Sequence, residues 1–405
     1  MDQNVHWLAR DGAGENYHWQ RVGIPCFESA ADAVESLACD SPIYVLYPEV
    51  FERSARAFVQ NFPGRVLYAI KANPHEVALR AMWIAGVRDF DIASLHEAHY
   101  VRSIFPEARL YFMHPVKSRR AIRETYALGI RDYALDSLDE LAKILEETGG
   151  EDLNLHVRLA VGESSAAYDL SGKFGTGSEE AVALLQAARK AARGLGITFH
   201  VGSQCMDPRA YARALERAIV MVSDAGVELD SIDVGGGFPV RYPGMCPPPM
   251  QEFFDVISST IQALGLDGCE LMGEPGRALS AAGGSTLARV ELRRGNDLYI
   301  NDGVYGSLFD AGFPGWRYPV ALIPADNRPG SRETLPFRFF GPTCDSIDRM
   351  AGPFHLPADI REGDWIEIQQ LGAYGQAMAT RFNGFYSDTT VAVTGQPRHI
   401  EDSEL

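Results

Sequence analysis

Between about residues 65 and 280 the chain repeats one pattern, a short apolar run closed by polar or glycine residues and then a stretch of helical periodicity. The runs are VLYAIKA (66–72), DFDIAS (89–94), RLYFMH (109–114), DYALDS (132–137), NLHVRLA (154–160), ITFHVGS (197–203), SIDVGGG (231–237) and CELMGEPG (269–276). Strand and helix alternating at this spacing build a parallel sheet with helices outside it, and eight strands close such a sheet into a barrel. The fold class predicted is therefore α/β, with an N-terminal (β/α)8 barrel over residues 41–283. Among the intervening helices, SEEAVALLQAARKAARGLG has a cap candidate at Ser178, acids in its first turn, Arg and Lys late, and a stop at Gly194.

Beyond residue 284 the runs STLARVELRR, NDLYIND and DWIEIQQ are strand-like, separated by Gly and Pro, and lack helical periodicity. They predict a second, all-β domain of barrel or sandwich type over 284–405, to which residues 1–40 contribute a part. A length of 405 residues suits this two-domain reading. With 46% hydrophobic and 22% charged residues the chain matches an ordinary globular protein able to bury a large core. A formal charge of -17 repels nucleic-acid backbones and anionic membranes and suits a cationic substrate, although an acidic surface also serves solubility. No run of 18 apolar residues occurs, and the N-terminus has no basic-then-apolar leader pattern, so the expected location is cytoplasmic. Cys26, Cys39, Cys205, Cys246, Cys269 and Cys344 form no C-x-x-C pair, which argues against a zinc site or a disulfide framework; no metal is expected.

Barrel enzymes place their chemistry at the C-terminal strand ends, and the informative residues cluster there. Lys71 ends the first run; apolar surroundings lower a lysine pKa towards nucleophilicity, although a lysine at such a position is in general a snorkelling surface residue. Gly235, Gly236 and Gly237 in DVGGGFP form either a tight turn or a loop whose N–H groups reach an anion. GEPGRAL supplies Glu274, Gly276 and Arg277, and HVGSQ supplies His200 and Ser203. A lysine, a flat imidazole, a carboxylate and two glycine loops converging on one barrel mouth together describe pyridoxal phosphate.

The motifs YAIKANPH, FDIAS, HVGSQ, DVGGGFP, GEPGRAL, NDGVYGS, GPTCDSID and GAYG occur in this order across nearly the whole chain. In them the sequence resembles the eukaryotic-type ornithine decarboxylases, fold type III of the pyridoxal-phosphate enzymes. The resemblance implies a head-to-tail homodimer with two sites at its interface. It implies that Lys71 binds the cofactor covalently, His200 stacks on its ring and Glu274 pairs with its pyridine nitrogen. Asp91, Glu97 and Arg158 would support it, and Ser203, Gly235, Gly236, Gly237, Gly276, Arg277 and Tyr374 would hold its phosphate. From the second subunit Cys344 would return a proton to the α-carbon after CO2 leaves, and Asp345 would bind the substrate's distal ammonium, with Tyr305 and Asp310 as further substrate-binding candidates. Lys173 and Asp348 match an ion pair across the dimer interface.

Aspartate after the cysteine suits a terminal ammonium, whereas a diaminopimelate decarboxylase resembles CES at this point, so the expected reaction is L-ornithine to putrescine, in polyamine biosynthesis. The segment LFDAGFPGWRYP is shorter and rearranged relative to the family, which leaves lysine, arginine or a modified diamine precursor open. An inactive, antizyme-inhibitor-like homologue is a further alternative, opposed by the retained cofactor motifs.

Overall fold

Each apolar run becomes a strand of one closed sheet. The protein is described here by a computed structural model covering residues 19–161, 166–168 and 172–397. The strands are β1 Arg65–Ala69, β2 Asp89–Ile92, β3 Arg109–Phe112, β4 Asp132–Leu135, β5 Asn154–Arg158, β6 Gly194–Thr198, β7 Ser231–Asp233 and β8 Glu270–Gly273. They pair in parallel and in chain order, and β8 closes onto β1 with Met272 opposite Arg65 and Gly273 opposite Val66. Side chains alternate across the sheet. Val66, Tyr68, Phe90 and Phe112 join the large core shared with the helices, while Leu67, Tyr111, Met113, Ala134 and Met272 form a separate small core that fills the barrel.

Local chemistry sets where the helices begin. Ser94, Ser118 and Ser137 each accept a hydrogen bond from the backbone N–H three residues on, at 3.2, 3.1 and 3.2 Å. Such caps contribute about 1 kcal/mol each. They also fix the ends of the loops that carry site residues. Helix Ser178–Ala191 differs from expectation, because Ser178 is its first residue and Gly177 the cap. Gly194 opens β6 instead of stopping the helix; a Cβ there would lie 2.8 Å from Asn154 Oδ1, so that side chain would have to shift. Lys117, fully buried, ties the loop after β3 to the helix after β4 through Glu140 Oε1 at 3.1 Å and the carbonyl of His114 at 3.0 Å. Burial lowers its pKa to about 8, against the pull of Glu140.

The second core is a nine-stranded sheet. Its strands from the C-terminal part are Gly284–Arg294, Asp297–Ile300, Val320–Ile323, Thr334–Phe340, Arg349–Pro357, Trp365–Ile368 and Thr390–Val393. Two more precede the barrel. Cys26–Phe27 pairs with Thr390–Val393, and Ile43–Leu46 pairs with both that strand and Gly284–Leu287. The expected barrel limit at 41 thus precedes a strand that belongs to the sheet; all four side chains of Ile43–Leu46 are buried, and the eight barrel positions are already filled. Phe339 stacks on Phe354 at 4.1 Å in the sheet's core, beside Ile366 and Ile368. Among the described residues no helix is long and apolar enough to cross a membrane.

Candidate active site

Parallel closure brings the ends of β1, β2, β5, β6, β7 and β8 to one mouth. Lys71, two residues past β1, donates to Asp91 Oδ2 at 3.0 Å. Asp91 is buried and the lysine side chain half exposed. Burial opposes the ammonium, but Asp91, Tyr374 and Glu274 outweigh it and hold the pKa above the ordinary lysine value. The apolar setting read from VLYAIKA therefore gives the wrong sign, because β2 and β8 deliver acids to the same mouth.

Glu274, just past β8, and Asp233, the last residue of β7, are both buried. Burial first, and then the neighbouring carboxyls of Asp233 and Asp91, push Glu274 well above the usual carboxylate range, so it holds a proton. Asp233 fixes the glycine loop by accepting from Gly235 N–H at 2.8 Å. His200 accepts from Gly202 N–H through Nδ1 at 2.9 Å, so the neutral ring carries its proton on Nε2. Burial, with help from Arg158 and Lys71, lowers its pKa to about 3. Arg158 ends β5 with its guanidinium 5.7 Å from the Phe174 ring.

The three glycines are dictated by packing as well as by any ligand. A Cβ at Gly235 would lie 2.0 Å from Phe199 O, at Gly236 2.7 Å from Glu274 O and 3.2 Å from His200 Nε2, and at Gly237 2.3 Å from Gly202 O. Their carbonyls accept from Glu274 N, Tyr211 Oη and Cys205 N; Gly235 N–H donates to Asp233, and the N–H groups of Gly236 and Gly237 are the loop's free donors among the described residues. Ser203 opens the two-stranded ribbon with Ala166–Tyr168 beside them. Gly276 abuts Ala72 and Tyr374. Tyr374 itself sits at φ +58°, a strained conformation for a non-glycine residue, held by its N–H donating to Ala72 O at 2.8 Å. Glu97 is occupied locally, accepting from Ala93 N–H at 2.5 Å in a variant of the capping box.

Arg277 is buried in an aromatic cage, 4.5 Å from the Trp316 ring and 4.9 Å from Tyr374, and hydrogen-bonded to Tyr242 Oη at 3.1 Å. Its ion pair is with Asp310 at 2.9 Å. The structure therefore does not place Asp310 with the other substrate-binding candidates. The short helix Phe309–Gly312 turns it inward onto Arg277. The buried Nε–H of Arg277 has no hydrogen-bond partner among the described residues.

Tyr305, Cys344 and Asp345 form a second cluster on loops of the sheet domain. Tyr305 Oη donates to Asp345 Oδ2 at 2.6 Å, and Cys344 Sγ donates to Asn383 Oδ1 at 3.2 Å. Among the described residues none of their hydrogen bonds reaches Lys71, His200 or Glu274. Asp348 is buried beneath this loop and organises it, accepting from Val304 N at 2.8 Å and Thr343 Oγ1 at 2.7 Å. Within the chain Lys173 lies over the Phe174 ring at 4.9 Å.

Sequence reasoning missed Asp233, the cage of Tyr242 and Trp316, and Asn383. DVGGG carries the first in plain view at a strand end, whereas the cage needs two distant segments folded together. The residues at the mouth fit pyridoxal phosphate, since the unpartnered Arg277 Nε–H and the Gly236 and Gly237 N–H groups are donors for a phosphate, and Gly236 leaves His200 uncovered.

Comparison with known proteins agrees. Residues 49–281 match the pyridoxal binding domain of the pyridoxal-dependent decarboxylases, and residues 282–372 match their C-terminal sheet domain. A lysine/ornithine decarboxylase of Selenomonas ruminantium is 32% identical over 92% of this chain and 95% of its own. The lysine/ornithine decarboxylase of Vibrio vulnificus, solved with putrescine, superimposes with a TM-score of 0.76 at 30% identity over 91% of this chain and 99% of that one. The arginine decarboxylase of Paramecium bursaria Chlorella virus, solved with agmatine, gives 0.79 at 26% identity over 89% and 98%. With both domain models matched end to end and the cofactor's donors in place, the chain belongs to the pyridoxal-dependent decarboxylase family and is a carboxy-lyase that uses pyridoxal phosphate.

Proposed function

We propose that the enzyme decarboxylates a basic L-amino acid, L-ornithine first among them, to give the diamine. The observation that carries this is Asp345. It is a half-buried carboxylate beside the only exposed thiol on the sheet-domain loops among the described residues, oriented by Tyr305 and Ile347 N–H. Those hydrogen bonds hold its pKa below the usual carboxylate range, which keeps it anionic for a distal ammonium. Asp310 is committed to Arg277, so one carboxylate is left to recognise that group.

Pyridoxal phosphate, when bound, supplies the electron sink for the pair left by departing CO2. The chain's residues do the rest. Lys71, oriented by Asp91, anchors it. Glu274, which holds a proton, would pair with the ring nitrogen. His200, neutral at every physiological pH, supplies a flat apolar face. Arg277, Gly236 and Gly237 donate to the phosphate. Cys344 hands a proton to the α-carbon.

Cys344 and Lys71 act together across a homodimer in this reading. Ile347, Met378, Phe382, Phe385 and Tyr386 are exposed around Cys344, an apolar surface of the kind that a second copy covers. The test is CO2 release from ornithine, lysine, arginine and diaminopimelate in parallel. Ornithine should show the highest kcat/KM, and Asp345→Ala should raise KM for it at least tenfold. Preference for diaminopimelate, or indifference to the Asp345 substitution, would overturn the assignment.

A further inference from the structure

The thiol of Cys344 does not stand alone. Asn383 Oδ1 accepts from both its Sγ and its backbone N–H, each at 3.2 Å. Asn383 makes this contact from φ +54°, a left-handed conformation that asparagine tolerates better than most residues. The turn that carries it is tied back to the same loop cluster. Thr380 N–H donates to Tyr305 O at 2.8 Å, Phe382 N–H donates to Thr380 Oγ1 at 3.2 Å, and the Phe382 ring lies 4.6 Å from Tyr305. Tyr305 in turn holds Asp345. The contacts form a closed circuit through Tyr305, Thr380, Phe382, Asn383, Cys344 and Asp345, with the thiol at one point and the Asp345 carboxylate at another.

We propose that Asn383 is a positioning residue that holds the Cys344 thiol as an aimed S–H donor and so fixes which carbon receives the proton. The inference rests on the proposed decarboxylase role of Cys344. In the step concerned the Sγ–H bond breaks, the proton bonds to the α-carbon that has lost CO2, and the thiolate regains a proton from water. A donor free to swing leaves the competing carbon, the one that joins the cofactor ring to the substrate nitrogen, open to protonation by solvent. Hydrolysis then releases an aldehyde and leaves the cofactor aminated, in place of the amine product.

Two substitutions separate the acceptor from the backbone. Asn383→Gly keeps the left-handed turn unstrained and removes the oxygen, whereas Asn383→Asp keeps an acceptor at the same place. Measured on holoenzyme, the aldehyde-to-amine ratio should rise about tenfold or more in N383G and return most of the way in N383D. A second readout needs no turnover. Iodoacetamide labelling of cofactor-free protein, mapped at Cys344 to exclude the exposed Cys246, should change several-fold in N383G. An N383G enzyme with the parent product ratio and labelling rate would overturn the proposal, as would an N383D enzyme no better than N383G. Failure of the underlying reading is distinct: the parent enzyme would then release no CO2 from basic amino acids, whatever the labelling shows.

Discussion

Asp310→Asn decides between two assignments of one carboxylate. In the structure Asp310 neutralises Arg277, with both side chains nearly buried and the atoms 2.9 Å apart. Removing the charge leaves a guanidinium with Tyr242 Oη and the faces of Trp316 and Tyr374, but with no anion. Breaking a buried pair in this way costs about 3–5 kcal/mol. Asparagine retains the carbonyl acceptor, which places the expected loss near the lower end, about 3 kcal/mol, or roughly a hundredfold in an equilibrium constant. Because Arg277 is also the expected phosphate donor, cofactor affinity should weaken alongside stability. The assay is equilibrium unfolding in urea followed by fluorescence, for which Trp316 is a buried reporter inside the cage, together with a cofactor titration and KM for ornithine. The double substitution with Arg277→Met should recover part of the lost stability, since neither charge is then buried alone. A stability within about 0.5 kcal/mol of the parent, well inside the scatter of ordinary surface changes, combined with a large rise in KM for ornithine, would refute the pairing and return Asp310 to the substrate.

Other consequences are as specific. Gly235→Ala places a Cβ 2.0 Å from Phe199 O at φ +67° and should cost about 2–3 kcal/mol in a thermal melt; an unchanged melt would show that the loops can separate. His200 has a folded pKa of about 3 against about 6.5 unfolded, so below pH 6.5 the unfolded chain binds the extra proton and stability falls as pH falls. From pH 7 to 5 that contribution amounts to about 2 kcal/mol, and His200→Phe should show a correspondingly weaker loss over the same interval; identical pH slopes would mean that the ring is solvated. Mixing inactive Lys71→Ala with inactive Cys344→Ala protein should restore up to about a quarter of parental activity through hybrid dimers with one intact site, and no recovery despite subunit exchange would rule out shared sites.

The barrel was legible because its information is local and periodic. Eight runs of the right length, each ended by residues suited to a loop, leave few other topologies, and all eight became the barrel strands. The same reasoning failed where a property depends on what distant strands deliver. VLYAIKA says apolar, but the charge state of Lys71 is set by Asp91 on the next strand and Glu274 at the other side of the closure. LFDAG offers an acid near a substrate loop, but its direction is set by Arg277, which lies 33 residues earlier in the chain. The burial of Asp348 beneath Gly303 and Gly341, where its oxygens approach within the radius of a missing Cβ, is likewise invisible in GPTCDSID.

The acids at the mouth explain why one carboxyl there must be protonated before the cofactor arrives. Asp91, Asp233 and Glu274 converge, and the Lys71 ammonium interacts with Asp91 and Glu274. Three buried anions around one cation cannot all ionise without a large penalty, so a proton stays on Glu274. A pyridine nitrogen held beside Glu274 would find a protonated carboxyl there to pair with. Asp233 is one of the groups that keep that proton on Glu274, so removing Asp233 should weaken Glu274's hold on it even though no atom of Asp233 need touch the cofactor.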